Sequence, residues 1–508
     1  MSYDKVVDST QLDGYFTGIA NAIRGKNGSS NTYTPAQMPQ AITDIPSGGG
    51  AVESDVNFYD YDGTLVDSYT AAEFASLSAM PANPTHQGLT SQGWNWTLAD
   101  AKDYVSKYGG LDIGQLYITT SGATEIDIEL EEYRLKPYIY FQFTSSTSAC
   151  SVTLDWGDGS QIETFSAIKN ELGLVNVQHE YAAPGKYTVK IMQDTGNPEI
   201  IISSTNTNFC RLLRITDVVS SVSGDNVYYA AIKHIRLGNG VKRLYKYAFQ
   251  YTGLRTITIP TSLTYIDKYA FQYCYYLQSI CLSSGCIIEK SAFNYCRRMS
   301  VVCLSKTFSF VYDSNFQNCY SLRKIYMSET TTLLPQSIFN SCTNLFKVVL
   351  PKITQFSTSA LQNTNIEEIK LPNTVTEIGS SVFNGCYGLR SIDTGEALTK
   401  IGSTAFGNCP ALAFVKVPAT LTSIGSTAFG PSTGIGCFLC YATTPPTLSG
   451  ALPSFWTYGG YIYVPRASIS TYESTTNWSA AAGYYRAIED YTDDGTLSGN
   501  FTGVLYQA

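Results

Sequence analysis

The sequence predicts a multidomain, mainly β protein organised around a repeat solenoid. Three observations predict it: a short unit recurs from about residue 232 to 440, each copy ends in an apolar run that alternates like a strand, and a strand-rich segment with its own turn signals precedes the copies. The net charge is −8 without a basic block, so we expect no nucleic-acid partner. No apolar run approaches about 18 residues, so we expect no membrane insertion.

The repeat unit is marked by a phenylalanine that recurs every 22 or 23 residues, with one double step of 44 that hides a weaker copy carrying Leu361. An apolar residue five or six positions after Phe opens a Leu-x-x-Ile-x-Leu run, and a small Ala before Phe predicts a short, close-packed helical turn. One unit has too few apolar groups to bury alone, so the copies must stack into a shared core. The phenylalanines are Phe249, Phe271, Phe293, Phe316, Phe339, Phe383, Phe406 and Phe429.

Six cysteines follow these phenylalanines by three residues: Cys274, Cys296, Cys319, Cys342, Cys386 and Cys409. The run from Ile401 to Leu412, Ile-Gly-Ser-Thr-Ala-Phe-Gly-Asn-Cys-Pro-Ala-Leu, resembles the BspA-like leucine-rich repeat. The resemblance covers roughly 40% of the chain and implies extracellular recognition without chemistry. We expect the cysteines to form a structural ladder of buried free thiols. Cys437 and Cys440 have zinc-like spacing but no partner pair, so we expect no metal there.

Residues 1–46 are expected to form two short helices that serve as an attachment segment, followed by a Gly-rich linker over 47–55. Two such helices are too small to fold alone and need a partner surface or copies of themselves. The stretch from residue 12 to 45 resembles the attachment segment of tail proteins in bacteriophages of gut bacteria. The chain begins without a basic region and an apolar core, so we expect synthesis in the host cytoplasm without a signal peptide. The apolar face expected to attach to the tail comprises Leu12, Phe16, Ile19 and Ile23.

Residues 56–130 are predicted to be a small α+β adaptor. Its Asp60-x-Asp62-Gly63-Thr-Leu run resembles the nucleophile motif of haloacid dehalogenases, which implies Asp60 as nucleophile and Asp62 as acid/base. The segment lacks room for the rest of that fold, so we expect a β-hairpin with Asp62-Gly63 as its turn. Thr70 and Thr97 each begin a capping box and predict two helices, with Trp94-Asn95-Trp96 in the core between them. The adaptor also resembles a module that recurs in gut-phage tail proteins.

Residues 131–205 are predicted to be an immunoglobulin-like β-sandwich. Asp155-Trp156-Gly-Asp158-Gly, followed by His-x-Tyr and Gly185-x-Tyr-Thr-Val, resembles the PKD domain. That resemblance implies Trp156 in the core and Gly185 in the turn before the last strand. Two carboxylates alone make a poor calcium site, so we expect no metal and no cofactor.

Residues 206–445 are assigned to the leucine-rich-repeat solenoid and residues 446–508 to a C-terminal cap and tail. Exposed positions of the repeats are the candidate ligand-binding residues, in two groups. The first group, assigned to the repeat strands, is Arg255, Gln278, Arg323, Lys324, Tyr326, Lys347, Glu368, Lys370, Arg390 and Lys416. The second group, which follows the Phe turns, is Tyr273, Tyr275, Tyr276, Tyr295, Tyr320 and Tyr387.

These features together predict a non-enzymatic virion protein, a bacteriophage tail fibre or receptor-binding protein. Its expected partners are tail or baseplate proteins at the N-terminus and a host surface protein or glycan at the solenoid, with several copies of the chain joined for avidity. We expect the attachment segment, adaptor and sandwich to fold without the solenoid. The alternatives are a bacterial surface adhesin and a haloacid-dehalogenase-type phosphatase.

Overall fold

The computed structural model describes residues 55–492, apart from gaps at 131, 133–137, 143–149, 168–173, 196–198, 202–210, 219–221, 224–231, 309–311, 433 and 453–458. The predicted attachment helices, most of the linker and the tail from 493 onward lie outside the described residues. The described part is mainly β, with few helices. None of those helices has both the length and the hydropathy needed to cross a bilayer.

The adaptor is a four-stranded sheet of order β2-β1-β4-β3 with two helices packed against it. Thr70 forms the predicted capping box with Glu73, and Thr97 accepts a hydrogen bond from the Asp100 N–H, so both helices begin where the sequence predicts. The hairpin expected at Asp62-Gly63 joins β1 and β2, which pair antiparallel. The elements are β1 (Val56–Tyr59), β2 (Leu65–Tyr69), α1 (Ala71–Ser76), β3 (Leu89–Trp94), α2 (Leu98–Tyr108) and β4 (Leu111–Thr119).

Two antiparallel layers follow the adaptor, and both continue into the solenoid. The first strand, β5, lies within the range assigned to the adaptor but pairs with β10 in the sandwich. Trp156 is buried as expected and packs edge-on against Tyr181. Gly185, expected in a turn, is instead the first residue of a strand and pairs with Leu130. The narrower PKD assignment stays a prediction. The strands are β5 (Ala123–Leu130), β6 (Tyr138–Gln142), β7 (Cys150–Asp155), β8 (Glu163–Ala167), β9 (Leu174–Gln178), β10 (Gly185–Thr195) and β11 (Glu199–Ile201).

Two connecting strands, β12 (Arg211–Val218) and β13 (Val222–Ser223), join the sandwich to the solenoid. β12 pairs antiparallel with β5 and parallel with the first long solenoid strand, so one sheet runs from sandwich to solenoid. β13 makes the same link between β11 and the first short solenoid strand. The sandwich therefore covers the apolar N-terminal end that a solenoid must protect. This continuity corrects the expectation that the sandwich folds without the solenoid, because its strand β5 is paired on one side by β12.

The solenoid has two rows of parallel strands. The strands of one row, called the long row, have three or four residues, and those of the other, called the short row, have two. The long row is β14 (His234–Leu237), β16 (Thr256–Thr258), β18 (Ser279–Cys281), β20 (Val301–Cys303), β21 (Lys324–Tyr326), β23 (Lys347–Val349), β25 (Glu368–Lys370), β27 (Ser391–Asp393), β29 (Phe414–Val417), β31 (Cys437–Cys440), β33 (Tyr461–Val464) and β34 (Tyr485–Ala487). The short row is β15 (Arg243–Leu244), β17 (Tyr265–Ile266), β19 (Ile287–Ile288), β22 (Leu333–Leu334), β24 (Gln355–Phe356), β26 (Glu377–Ile378), β28 (Lys400–Ile401), β30 (Ser423–Ile424) and β32 (Thr447–Leu448).

The repeat phenylalanines form a stacked column in the core. Phe293 lies between Phe271 and Phe316 with ring centroids 5.0 and 5.3 Å away and rings nearly parallel. The column stops at Phe339 and resumes at Phe383, because Leu361 occupies the position between them. Because each ring is fully buried, each contributes strongly to the free energy of folding.

The cysteine ladder has a hydrogen-bonding role beside its packing role. Each thiol donates to the backbone carbonyl of the core residue one repeat earlier, as Cys274 does to Phe249 at 2.9 Å and Cys342 to Phe316 at 3.1 Å. Where Cys is replaced, Thr364 supplies a hydroxyl to the carbonyl of its own Leu361. Burial raises the pKa of Cys342 to about 12, so this thiol stays protonated and able to donate.

The turns around each phenylalanine are not the short helices that the sequence predicts. Residues two before and two after Phe have a left-handed backbone, as at Tyr269 (φ 62°) and Tyr273 (φ 63°) around Phe271. A left-handed residue on either side of Phe prevents a helical turn. Instead, the Phe N–H donates to the next repeat, at 2.8 Å from Phe271 to Ala292. The turns are thus a further hydrogen-bonded ladder along the solenoid.

The C-terminal cap closes the other end of the solenoid. After β33, helix α3 (Ile469–Ser474) buries Tyr472, and Trp478 is buried beside it. Both side chains satisfy carbonyls of the preceding segment, with Tyr472 donating to Ala442 and Trp478 to Pro446, each at 2.8 Å. Short 3₁₀ turns complete the cap at Arg466–Ser468, Ser479–Ala481 and Ile488–Asp490.

Candidate functional site

Two outer surfaces of the solenoid could contact a ligand, and the first is built by the long strands. In each strand the middle residue faces the core and its neighbours point outward. Ile280, for example, lies in the main core, whereas Ser279 and Cys281 face the other way. We call the outward surface of the long strands the strand face.

The adaptor covers the strand face of the earlier repeats. Leu116 of β4 packs with Cys281, Val301 and Cys303 in an apolar cluster of its own. A Cβ atom built on Gly114 would lie 2.4 Å from the Cys281 sulfur, so only glycine lets β4 approach this closely. At this point the adaptor and the solenoid are therefore in direct contact, with no room for a side chain between them.

Polar groups of the adaptor also bind the strand ends of the solenoid. The Trp96 indole N–H donates to the Leu304 carbonyl at 2.7 Å, and the Tyr104 hydroxyl donates to the Met327 carbonyl at 2.6 Å. The Asn95 amide donates to the Leu282 carbonyl at 3.2 Å. These bonds satisfy carbonyls that the adaptor shields from water, and each contributes about 0.5–1.5 kcal/mol to the docking.

A buried charge pair lies in the same interface. The Lys324 ammonium is 3.5 Å from an Asp112 carboxylate oxygen, and Asn57 donates to that oxygen at 3.0 Å. Burial raises the pKa of Asp112, and Lys324 and Asn57 oppose that shift without cancelling it. Removing Lys324 would leave the carboxylate buried without its cation.

The far end of the strand face is covered by the C-terminal cap. Phe414, Cys437 and Leu439 are almost fully buried there, and Ile488 and Tyr491 pack against them. Between the two covered parts, Lys370 of β25 is exposed. The strand face that remains open is therefore short.

The second surface follows the phenylalanine turns, and we call it the turn face. Five tyrosines on it adopt the left-handed backbone that favours glycine and asparagine: Tyr247, Tyr251, Tyr269, Tyr273 and Tyr295. Such a conformation costs on the order of 1–2 kcal/mol for a residue with a side chain. Later repeats place Ser or Asn at the same positions, such as Ser337 and Asn363. The tyrosines are therefore not what the turn itself prefers.

These tyrosines stack along the solenoid. Tyr273 lies between Tyr251 and Tyr295, with ring centroids 4.4 and 4.9 Å away. The Arg297 guanidinium lies 4.7 Å from the Tyr275 ring and 5.7 Å from the Tyr320 ring. The result is a column of stacked aromatic rings with a cation at its edge, which we call the aromatic surface; it suits binding because rigid rings lose little entropy on contact.

A groove adjoins this aromatic surface. It has a volume of 590 Å³ and is bounded by Tyr320 at one end and Tyr387 at the other. Between the two tyrosines it is lined by Ser341, Thr343, Asn363, Thr364, Asn365 and Gly385.

The repeats match a known family. The model of the BspA type leucine rich repeat region matches residues 210–323 and 309–435, in six copies. Over residues 210–435, which are less than half of the chain, the sequence is therefore similar to BspA-type leucine-rich repeats. No curated protein matches the sequence.

Solved structures of leucine-rich-repeat proteins are similar to this chain at low identity. One is a leucine-rich repeat protein from Bacteroides ovatus, with 16% identity, 58% of this chain and 96% of that chain covered, and a TM-score of 0.40. A leucine rich cell surface protein from Faecalibacterium prausnitzii has 17% identity, coverage of 54% and 86%, and a TM-score of 0.32. The pneumococcal vaccine antigen PcpA has 19% identity, coverage of 55% and 80%, and a TM-score of 0.38. Likenesses of this size carry no argument about the arrangement of the modules or about function.

The structure separates the strand candidates of the leucine-rich repeats into three sets. Arg255, Gln278, Arg323 and Arg390 are exposed but precede their strands, at the corner between the two faces. The prediction that Lys324 and Tyr326 are exposed on the strands is wrong, because the adaptor covers both. Lys347 is half-buried beside Tyr326. Glu368, Lys370 and Lys416 lie on the open part of the strand face, where Lys416 pairs with Asp393 at 2.9 Å.

The second group of candidates lies together on the turn face. Tyr273, Tyr275 and Tyr295 belong to the aromatic surface, and Tyr276 is beside Arg298 at 5.2 Å. Tyr320 and Tyr387 bound the groove. The residues that line the groove between these two tyrosines were not predicted from the sequence. A signal for the groove is in the sequence, since the Leu361 copy is one residue shorter after its core residue than the copies on either side.

The two aspartates of the dehalogenase-like motif hydrogen-bond to their own hairpin turn. Asp60 is almost fully buried, accepts a hydrogen bond from the Tyr61 N–H at 2.8 Å, and contacts His86 at 2.7 Å. Asp62 accepts from the Thr64 N–H within the hairpin turn. Asp155 and Asp158 likewise accept N–H groups of their own turn. In the described part of the chain, no group of three or more His, Cys, Asp or Glu residues could hold a metal ion.

Proposed function

We propose that the protein is a non-enzymatic recognition protein of a virion, a bacteriophage tail fibre or receptor-binding protein. In this proposal residues 1–46 attach several copies of the chain to tail or baseplate proteins, through Leu12, Phe16, Ile19 and Ile23. The turn face of the solenoid then contacts a protein or glycan on the host surface. Multiple copies turn weak single contacts into firm attachment.

The observation that carries the recognition proposal is the stacked tyrosine column on the turn face. Tyr273 and Tyr295 keep a costly left-handed backbone where Ser or Asn serves in other repeats. The left-handed backbone recurs in the turns of the other repeats, so the turn requires the strain but does not require tyrosine. An aromatic side chain that the turn does not need is a reason to look for function at that place. The strand face is a poorer candidate, because the adaptor and the cap cover most of it.

A test with two variants of otherwise intact protein separates attachment from recognition. A chain without residues 1–46 should still adsorb to host cells but should be missing from purified particles. A full-length chain with Tyr273→Ala and Tyr295→Ala should enter particles but adsorb poorly. Lys370→Ala is the matched control, an exposed change on the strand face. This variant should enter particles and adsorb to host cells as the intact chain does. A chain without residues 206–508 cannot serve in this test, because the adaptor and the sandwich both pack against the solenoid.

Three outcomes count against the proposal in different ways. Undiminished adsorption of the double tyrosine variant would place recognition elsewhere on the chain. Particles that contain the chain without residues 1–46 would contradict the attachment role. A chain found on the surface of the producing bacterium, and not in particles, would favour the surface adhesin that remains the second candidate.

A further inference from the structure

We propose that the groove between Tyr320 and Tyr387 binds a neutral oligosaccharide chain. The proposal rests on the recognition function above and names the chemistry of its ligand. It goes beyond the aromatic surface, because the groove is lined by residues of its own, in later repeats than the stacked tyrosines.

Two local features of these repeats form the groove. The position two residues after the core residue carries Tyr in three early copies but Ser341, Asn363 and Gly385 here, so side-chain volume is lost along one line. A Cβ on Gly385 would lie 2.1 Å from the Asn363 side-chain oxygen, so this glycine makes room for the amide. The Leu361 copy also lacks one residue after its core position, and Asn365 alone stands where its neighbours have two residues.

The groove has the length of a short oligomer. Tyr320, Thr343, Asn365 and Tyr387 occupy equivalent positions in four successive repeats. Neighbouring strands lie about 4.8 Å apart, which places the two tyrosines about 14 Å apart along the solenoid. A single sugar would contact one tyrosine only, whereas a short linear chain would contact both.

The chemistry of the lining favours sugar over peptide or anion. All the residues that line the groove are uncharged. Tyr387 is 67% exposed, and its ring is available to the apolar face of a pyranose. Within the described residues, the Thr343 hydroxyl and the Asn365 amide have no hydrogen-bond partner, so they can donate to and accept from sugar hydroxyls. Thr364 is already used, since it donates to the Leu361 carbonyl at 2.9 Å.

The first experiment measures binding of linear neutral oligosaccharides of the gluco, galacto, manno and xylo series to the intact chain by calorimetry. At least one oligomer should bind more tightly than its own monosaccharide, and Tyr387→Ala or Asn365→Leu should weaken it by 10-fold or more, about 1.4 kcal/mol. Tyr441→Ala removes an exposed tyrosine from outside the groove and should leave binding unchanged. Both groove residues are exposed, so the variants should keep the melting temperature of the intact chain.

The second experiment separates this inference from the proposed function. Cells to which the intact chain adsorbs are treated with periodate, which destroys sugar diols, or with a protease. Adsorption lost with periodate and kept with protease supports the groove proposal. Adsorption lost with protease alone, or oligosaccharide binding absent from the whole panel, overturns the glycan inference while recognition by the turn face stands. Adsorption of the Tyr273→Ala, Tyr295→Ala variant at the level of the intact chain overturns the proposed function instead.

Discussion

Replacing Gly114 by valine should release the adaptor from the solenoid. The added Cβ would lie 2.4 Å from the Cys281 sulfur and 2.9 Å from the Cys303 Cβ, and real Cβ atoms essentially never come within 3.0 Å of another heavy atom. Neither side can yield easily, because β4 is paired with β1 and β3 on its two edges and the cysteines lie in paired strands. Overpacking of this kind costs about 1–3 kcal/mol, and we expect the upper end, roughly a 100-fold rise in the undocked fraction.

Thiol labelling measures this release directly. Cys281 and Cys303 are buried only because the adaptor covers them, whereas Cys296 is buried inside the repeat core. Maleimide labelling followed by peptide mapping should therefore modify Cys281 and Cys303 in Gly114→Val and leave Cys296 protected. Labelling of all three would indicate global unfolding.

A matched glycine provides the control for this prediction. Gly122 lies in the same part of the chain, has open space around its Cβ position and lacks the left-handed backbone. Gly122→Val should therefore behave like the intact protein within about 0.5 kcal/mol. If Gly114→Val also leaves both the labelling and the melting temperature unchanged, the adaptor does not dock through β4, and the strand face would have to be reconsidered as a binding surface.

Three further predictions concern the core, the hairpin and the sandwich. Phe339→Ala should lower the stability of the repeats by about 3–5 kcal/mol, because a fully buried ring is lost from the end of a stack; an unchanged melting temperature would contradict the repeat packing. Asp60→Asn keeps the bond from the Tyr61 N–H, so folding and cell binding should persist; Mg²⁺-dependent phosphate ester hydrolysis by the intact protein but not by this variant would establish the enzyme. Burial alone would raise the pKa of Asp158, but hydrogen bonds from Ser160 and His179 outweigh it and lower the pKa to about 2. Because this folded pKa lies below the unfolded value, the contribution to stability is present above about pH 4 and is lost as the pH falls towards 2; in Asp158→Asn, chemical denaturation should show a weaker loss over that interval.

Sequence periodicity predicted the solenoid because stacking forces like residues into like environments. Phe271 and Cys274 recur at fixed spacing, and the structure puts them in continuous columns. Periodicity did not reveal the turn conformation, because an Ala-Phe pair fits a helical turn as well as a left-handed one. The backbone is decided by hydrogen bonds between repeats, which a single unit does not contain.

The docking of the adaptor onto the solenoid could not be predicted from the sequence, for a different reason. It joins residues about two hundred positions apart, such as Trp96 and Leu304, and no local pattern records such a pairing. A partial signal was present: the outward positions at Cys281, Val301 and Cys303 are apolar, whereas most later ones are charged or polar. An apolar strip on an otherwise polar strand row indicates that something covers it.

The central claim, recognition by the turn face, can be tested by tyrosine nitration of the intact chain with and without isolated host envelopes. Four exposed tyrosines report on two regions within one experiment: Tyr276 and Tyr387 lie on the turn face, and Tyr441 and Tyr461 lie outside it. If the turn face contacts the host, envelopes should protect Tyr276 and Tyr387 from nitration and leave Tyr441 and Tyr461 reactive. Protection of Tyr441 and Tyr461 alone, or equal nitration of all four in bound protein, would contradict it.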